Sequence, residues 1–168
     1  LNSWTDAYGG FKVDGRSVYF IATSDGQRSI WRSDLTAEST RPIVNVSGWH
    51  ANTRDLVVLA DRLIVLRCAD STTSVCELWW APKEGGPGEP LPGGCGSAPC
   101  DPIAGGGSIS VVGDRVVFRT ATAQRSALWA SDGADAPAEQ LALLCDEVDC
   151  WSQYFTPLAS EGDYVFAT

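Results

Sequence analysis

Gly113-Asp114-Arg115-Val116-Val117-Phe118, followed by Ala127-Leu128-Trp129-Ala130-Ser131-Asp132-Gly133, is the stretch on which the fold turns. A Gly-Asp turn leads into an apolar run rich in β-branched residues. A polar gap follows, and a second apolar run carries a Trp just ahead of an Asp-Gly turn. Such runs, bounded by turn residues, read as strands rather than helix. The same order occurs twice upstream. Asp14-Gly15-Arg16-Ser17-Val18-Tyr19-Phe20 precedes Ser29-Ile30-Trp31-Arg32-Ser33-Asp34, and Asp61-Arg62-Leu63-Ile64-Val65 precedes Glu77-Leu78-Trp79-Trp80-Ala81-Pro82-Lys83. Trp31, Trp79 and Trp129 are therefore 48 and 50 residues apart. A fourth copy begins at Glu161-Gly162-Asp163-Tyr164-Val165-Phe166 without a Trp after it.

Working outward, each unit reads as four strands. In the third unit they are 108–113, 115–121, 125–131 and 139–145. The last has fair helix propensity and is assigned to strand on the strength of the repeat. The first unit supplies 9–14, 17–23, 28–33 and 41–46. The second supplies 55–60, 62–68 and 75–81, followed by a Gly- and Pro-rich loop from Pro82 to Gly107. The fourth supplies only 156–160 and 163–168. A period of about 40–50 residues built from short strands predicts β-propeller blades. The expectation is an all-β chain, a single propeller segment over residues 1–168. Its units lie at about 8–47, 55–92 and 108–145, with a partial one at 155–168, or about three and a half four-stranded blades. A ring closes with typically 4–8 blades. The missing strands are therefore expected from another segment or another chain, since an open ring end exposes a sheet edge and an apolar face. A chain that opens on Leu1 and holds no Met reads as a processed or excised segment.

Composition narrows the function classes. Of 168 residues, 21 are acidic and 12 basic, a formal charge of −9. That balance argues against nucleic acid and anionic membrane surfaces, which select Lys/Arg patches. No apolar run approaches the roughly 18 residues of a membrane-spanning helix. The six cysteines form three close pairs: Cys68 with Cys76, Cys95 with Cys100, and Cys145 with Cys150. Fifteen connectivities are formally open, and proximity favours the three local ones. Such cysteine usage predicts an oxidising location: secreted, periplasmic or cell surface.

The repeat resembles the ELWxTDGT-type propeller repeats of large secreted bacterial proteins and, more loosely, TolB-like propellers. Ile30-Trp31-Arg32-Ser33-Asp34, Glu77-Leu78-Trp79 and Leu128-Trp129-Ala130-Ser131-Asp132-Gly133 carry the resemblance. The second copy departs from it, with Pro82-Lys83-Glu84-Gly85 in place of the Asp-Gly turn. The resemblance implies a secreted binding platform.

Few residues point to chemistry. The three repeat Trps are expected to pack between neighbouring units, because they recur at one position in every complete unit. Trp49, His50, Trp151, Tyr154 and Phe155 lie in the crossings from one unit to the next and form the candidate ligand-binding set. Asp146, Glu147 and Asp149 would suit calcium if any cation binds, since hard oxygen ligands select it. No EF-hand or nonapeptide calcium repeat is present, so no cofactor is favoured. Asp25-Gly26 and Asp132-Gly133 read instead as turns. The cysteine pairs read as disulfides that fix loops rather than as a zinc site, which would want four converging ligands. With His50 as the single histidine and no G-x-S-x-G elbow, no catalytic residue is assigned. Asn45-Val46-Ser47 is a formal glycosylation sequon, expected to be unmodified in a bacterial chain.

The expected function is that of a non-enzymatic extracellular propeller scaffold. Its disulfide-stapled loops would serve a protein partner or assembly with further blades. The alternatives are a glycan-binding, lectin-like propeller, and a segment of a larger secreted enzyme whose catalytic residues lie elsewhere.

Overall fold

The computed structural model describes residues 7–47, 52–59, 61–68, 76–91, 109–122, 124–133, 138–146, 157–161 and 164–167. Among them the chain is all β, without a helix. The first sheet contains β1 (Ala7–Asp14), β2 (Ser17–Ser24), β3 (Gln27–Ser33) and β4 (Arg41–Asn45). The second contains β5 (Asn52–Leu59), β6 (Arg62–Cys68), β7 (Cys76–Pro82) and the two-residue β8 (Glu89–Pro90). The third contains β9 (Ser110–Val112), β10 (Arg115–Ala121), β11 (Ser126–Ser131) and β12 (Glu139–Cys145). A hairpin of β13 (Pro157–Glu161) and β14 (Tyr164–Ala167) completes the described chain. Each sheet is an antiparallel meander with its strands in chain order. No closed ring is found among the described residues.

Local chemistry accounts for the turns. Asp25 and Gly26 sit at φ 51° and 76°, the two positive values that a two-residue I′-type hairpin turn demands. Asp tolerates that region and Gly occupies it without steric cost. The outer strands are kept short or interrupted. Pro42 stands opposite Trp31 and Pro90 opposite Trp79, so neither outer position offers an N–H for further pairing. The register also slips between Ile30 and Trp31 and between Leu128 and Trp129, a bulge at the same place in the first and third sheets.

Pairing register reveals which face each strand buries. Phe20 faces Trp31, Val65 faces Trp79, and Phe118 faces Trp129, so these three pairs occupy equivalent places. Their neighbours alternate to the opposite face. Between the first and second sheets lie Tyr19, Ile21, Ile30, Val44 and Val46 against Leu56, Leu63, Val65 and Ala81. Between the second and third lie Val57, Leu59, Ile64, Leu66 and Leu78 against Ile109, Val116 and Phe118. The second sheet is thus buried on both faces, and its β6 reads Leu-Ile-Val-Leu without a polar interruption. Successive sheets also touch through their first strands: β1 lies on β5, β5 on β9 and β9 on β13. At about 1.5–3 kcal/mol per buried aliphatic side chain, these two layers outweigh every polar tie at the junctions.

Candidate interaction surface

The meander places two kinds of connection at opposite ends of the stack. The β1–β2 and β3–β4 turns share one end with their counterparts in the other sheets. The β2–β3 turns share the other end with the close of β4 and the start of β5, between which the chain crosses from sheet to sheet.

The first end is latched from sheet to sheet. Lys83, after β7, pairs with Asp14 in the β1–β2 turn of the preceding sheet. One sheet further on, Arg62 at the β5–β6 turn donates to the carbonyl of Gly133, after β11. Arg32 pairs with Glu84 at 2.7 Å, and the Gly86 N–H donates to the Ile43 carbonyl at 3.2 Å. That approach leaves no room for a side chain at Gly85, whose φ is 105°: a Cβ there would lie 2.8 Å from the Ile43 carbonyl oxygen. Two carboxyls at this end, Asp34 and Asp61, are held ionised. A hydrogen bond from the Ser17 hydroxyl, reinforced by Arg32, keeps Asp34 below the usual carboxylate range. Arg62 does the same for Asp61. The acidic partners are largely exposed and water screens such pairs, so they set alignment more than stability.

Asp55 ties the middle of the stack together. It is buried on β5, and its carboxylate accepts the Ile109 N–H of the third sheet at 3.1 Å. It also lies 3.2 Å from the Lys12 ammonium of the first sheet and accepts the Leu56 N–H at 2.8 Å. One carboxylate thereby links three consecutive sheets.

The second end carries the loops. Cys76 stands directly opposite Cys68 in the register. No described cysteine is free, and Cys76 and Cys145 are both disulfide-bonded. Beside this pair the Arg67 guanidinium lies 4.5 Å from the centre of the Trp79 ring, and the Trp79 indole N–H donates to Glu77 at 2.8 Å. Arg125 donates to Gln140 at 2.6 Å on the third sheet. A half-buried indole flanked by a cation and an anion can meet a polar or aromatic group of a partner. Glu77 was legible as part of the repeated motif and Arg67 as a strand residue, but their meeting with Trp79 depends on the β6–β7 register.

The three repeat Trps share a register position and differ in environment. Trp129 packs against the core between the second and third sheets and donates its indole N–H to Thr120 at 2.9 Å. Trp31 is buried against Phe20 and Ala22 on the outward face of the first sheet. Trp79 is half-buried under Arg67, so among the described residues the expectation of packing between units holds for Trp129 and needs correction for Trp31 and Trp79. The second sheet fills the corresponding space with Leu63 and Val65.

Buried charge appears once more on the third sheet. Arg119 on β10 donates to the Ser126 hydroxyl at 2.7 Å, which passes its own proton donation to the Thr120 carbonyl. Burial lowers the Arg119 pKa.

Of the sequence-derived candidates, Trp49, His50, Trp151, Tyr154 and Phe155 lie outside the described residues, as do Cys95, Cys100, Cys150, Glu147 and Asp149. Asp146 is exposed just after β12. Among the described residues no cluster of three or more His, Cys, Asp or Glu could hold a metal ion. Among the described residues no helix is long and apolar enough to cross a membrane. The protein-family models include none that matches this chain, and no curated protein matches it.

Proposed function

We propose that this chain is a segment of an extracellular β-propeller that serves as a non-enzymatic protein-binding scaffold. The observation that carries the reading is the stacking of consecutive four-stranded meanders, face to face and first strand to first strand. That is how propeller blades meet around an axis. The division of labour between the two ends supports a scaffold. One end is latched at both junctions between the four-stranded sheets, while the other gathers the crossings and the β6–β7 turn with its cysteines. Rigid sheets that hold loops at one end are a common way to build a recognition surface. Local disulfides Cys68–Cys76, Cys95–Cys100 and Cys145–Cys150 would restrict those loops and place the protein in an oxidising compartment.

The test has two parts. A non-reduced proteolytic digest read by mass spectrometry is expected to yield the three local disulfide peptides, and free thiols or cross-unit bridges would overturn the stapled-loop reading. A glycan array probed with the chain is expected to show no binding. Sub-millimolar binding to a defined glycan, lost in Trp151→Ala, would replace the protein-binding scaffold with a lectin.

A further inference from the structure

The outer strand β4 ends on a motif that the scaffold role leaves unused, Asn45-Val46-Ser47. The expectation of an unmodified Asn45 rested on a bacterial source; the geometry of the site is that of an acceptor. Asn45 and Ser47 are exposed, while Val46 between them is 0% exposed, held in the core between the first two sheets. The Asn45 Oδ1 accepts the Ser47 N–H at 2.9 Å, which closes an Asx turn across the tripeptide. Asn45 Nδ2 makes no hydrogen bond. The fold thus uses the oxygen of this amide and leaves free the nitrogen to which a sugar would be joined. An N-linked amide keeps its carbonyl oxygen, so the turn survives the modification. The register also leaves room. Asn45 stands opposite Ser29, two residues before Trp31, and Leu143 stands opposite Ala127, two residues before Trp129. Leu143 is 47% exposed, although its side of the third sheet is packed on the second through Phe118 and Trp129. An outer strand at this level therefore stays open even where another sheet is docked.

We infer that Asn45 is an N-glycan acceptor, with a lipid-pyrophosphate-linked oligosaccharide as the donor; the inference does not depend on what the scaffold binds. In the transfer the sugar's anomeric carbon bonds to Nδ2 and its bond to the pyrophosphate oxygen breaks. Nδ2 gives up one proton, and the lipid pyrophosphate leaves with the bonding pair. In the fold the Ser47 hydroxyl is occupied: it accepts the Arg28 N–H at 2.8 Å and donates to the Arg28 carbonyl at 3.2 Å. Transfer therefore comes before β4 closes on β3, while the chain is entering the compartment where disulfides form. Closure then locks the tripeptide through these two bonds and the Val46 N–H, which donates to the same Arg28 carbonyl at 2.9 Å. A bulky polar group at this point screens the end of an outer strand whose other end is already blunted by Pro42.

Secretion of the 168-residue chain from a eukaryotic cell, behind a cleavable leader, tests the inference against the same chain from a bacterial periplasm without the transferase. The secreted chain is expected to exceed 17.9 kDa by the mass of one glycan. Amidase release in heavy-oxygen water is expected to mark residue 45. Ser47→Thr is expected to keep the glycan, and Ser47→Ala and Asn45→Gln to lose it. Ser47→Ala also loses the bonds to Arg28, so Asn45→Gln is the variant that isolates the acceptor. With Oδ1 still in its turn, the glycosylated and bare chains are expected to melt within about 4 °C of each other. A secreted, disulfide-bonded chain with no glycan at Asn45 overturns the inference, and so does a glycan that lowers Tm by more than that. Neither result bears on the sheet stacking, which Asp55→Ala reports in the bare chain.

Discussion

Asp55→Ala measures how far one carboxylate holds three sheets together. Asp55 is 8% exposed, and the Ile109 N–H that it accepts belongs to a residue only 3% exposed. With the carboxylate gone, that N–H has no water to turn to, and an unsatisfied buried donor costs about 1–3 kcal/mol. Lys12 also loses its partner, but its side chain is 32% exposed and regains water, so its share is about 0–1 kcal/mol. The space left by the carboxyl adds a cavity of about one small group, and relief of the carboxylate's own desolvation offsets part of the total. The sum is a loss of about 2–4 kcal/mol, or a fall of roughly 5–15 °C in Tm for a chain of this size. Asp55→Asn keeps an oxygen for Ile109 and loses the one that faces Lys12 and the Leu56 N–H, so its cost is about 1–2 kcal/mol, below that of the Ala variant. Urea and thermal unfolding followed by Trp fluorescence at low micromolar protein and pH 7 would report both. A change of less than about 1 kcal/mol in Asp55→Ala, or an Asn variant as damaged as the Ala one, would refute the reasoning.

Two further predictions concern the latched end. Gly85→Ala meets the Ile43 carbonyl at 2.8 Å in a backbone region closed to L residues, whereas Gly26→Ala, at φ 76°, meets nothing within 4 Å. The first is expected to cost about 2–4 kcal/mol and the second about 1 kcal/mol, read as separate urea midpoints; equal losses would deny the close approach of the two sheets. Asp34 has its pKa lowered in the fold, first by Ser17 and then by Arg32. A carboxyl depressed on folding binds its proton less readily in the native state than in the unfolded one. Its stabilisation is therefore present above the unfolded value and lost as pH falls below roughly 4. Asp34→Asn is expected to flatten the acid limb of a stability–pH curve and to leave its shape between pH 6 and 8 unchanged; a variant whose acid limb matched the parent's would contradict the Ser17 contact.

Strand placement was largely legible in the residues. Residues 115–121 and 139–145 are strands over the predicted span, because β-branched and aromatic runs between turn residues have few alternatives. The one run with helical propensity, Glu139–Cys145, yields to its pairing with β11, in which the strand bonds outweigh a weak local preference. The Gly- and Pro-rich stretch after β7 concealed β8, which is only two residues long and too short to leave a periodic signal. The candidate site was less legible. Its loops are polar and irregular, and no pattern of spacing announces which of them meet.

The sequence by itself determined that this protein is built of short strands in a repeating order, with turns where Asp and Gly accept positive φ. Those are local preferences, set by the torsions and side chains of a few neighbouring residues. Tertiary structure alone decided what each repeat does with the same letters. One Trp enters a core, one stacks on an open face and one lies beneath an arginine, because burial depends on whether another sheet arrives on that side. It also decided that Asp55 answers to two other sheets at once, and that Phe11, Val13 and Leu35 remain exposed where their counterparts are covered. Contacts between residues as far as 71 positions apart follow from how the sheets stack, and no local pattern encodes that.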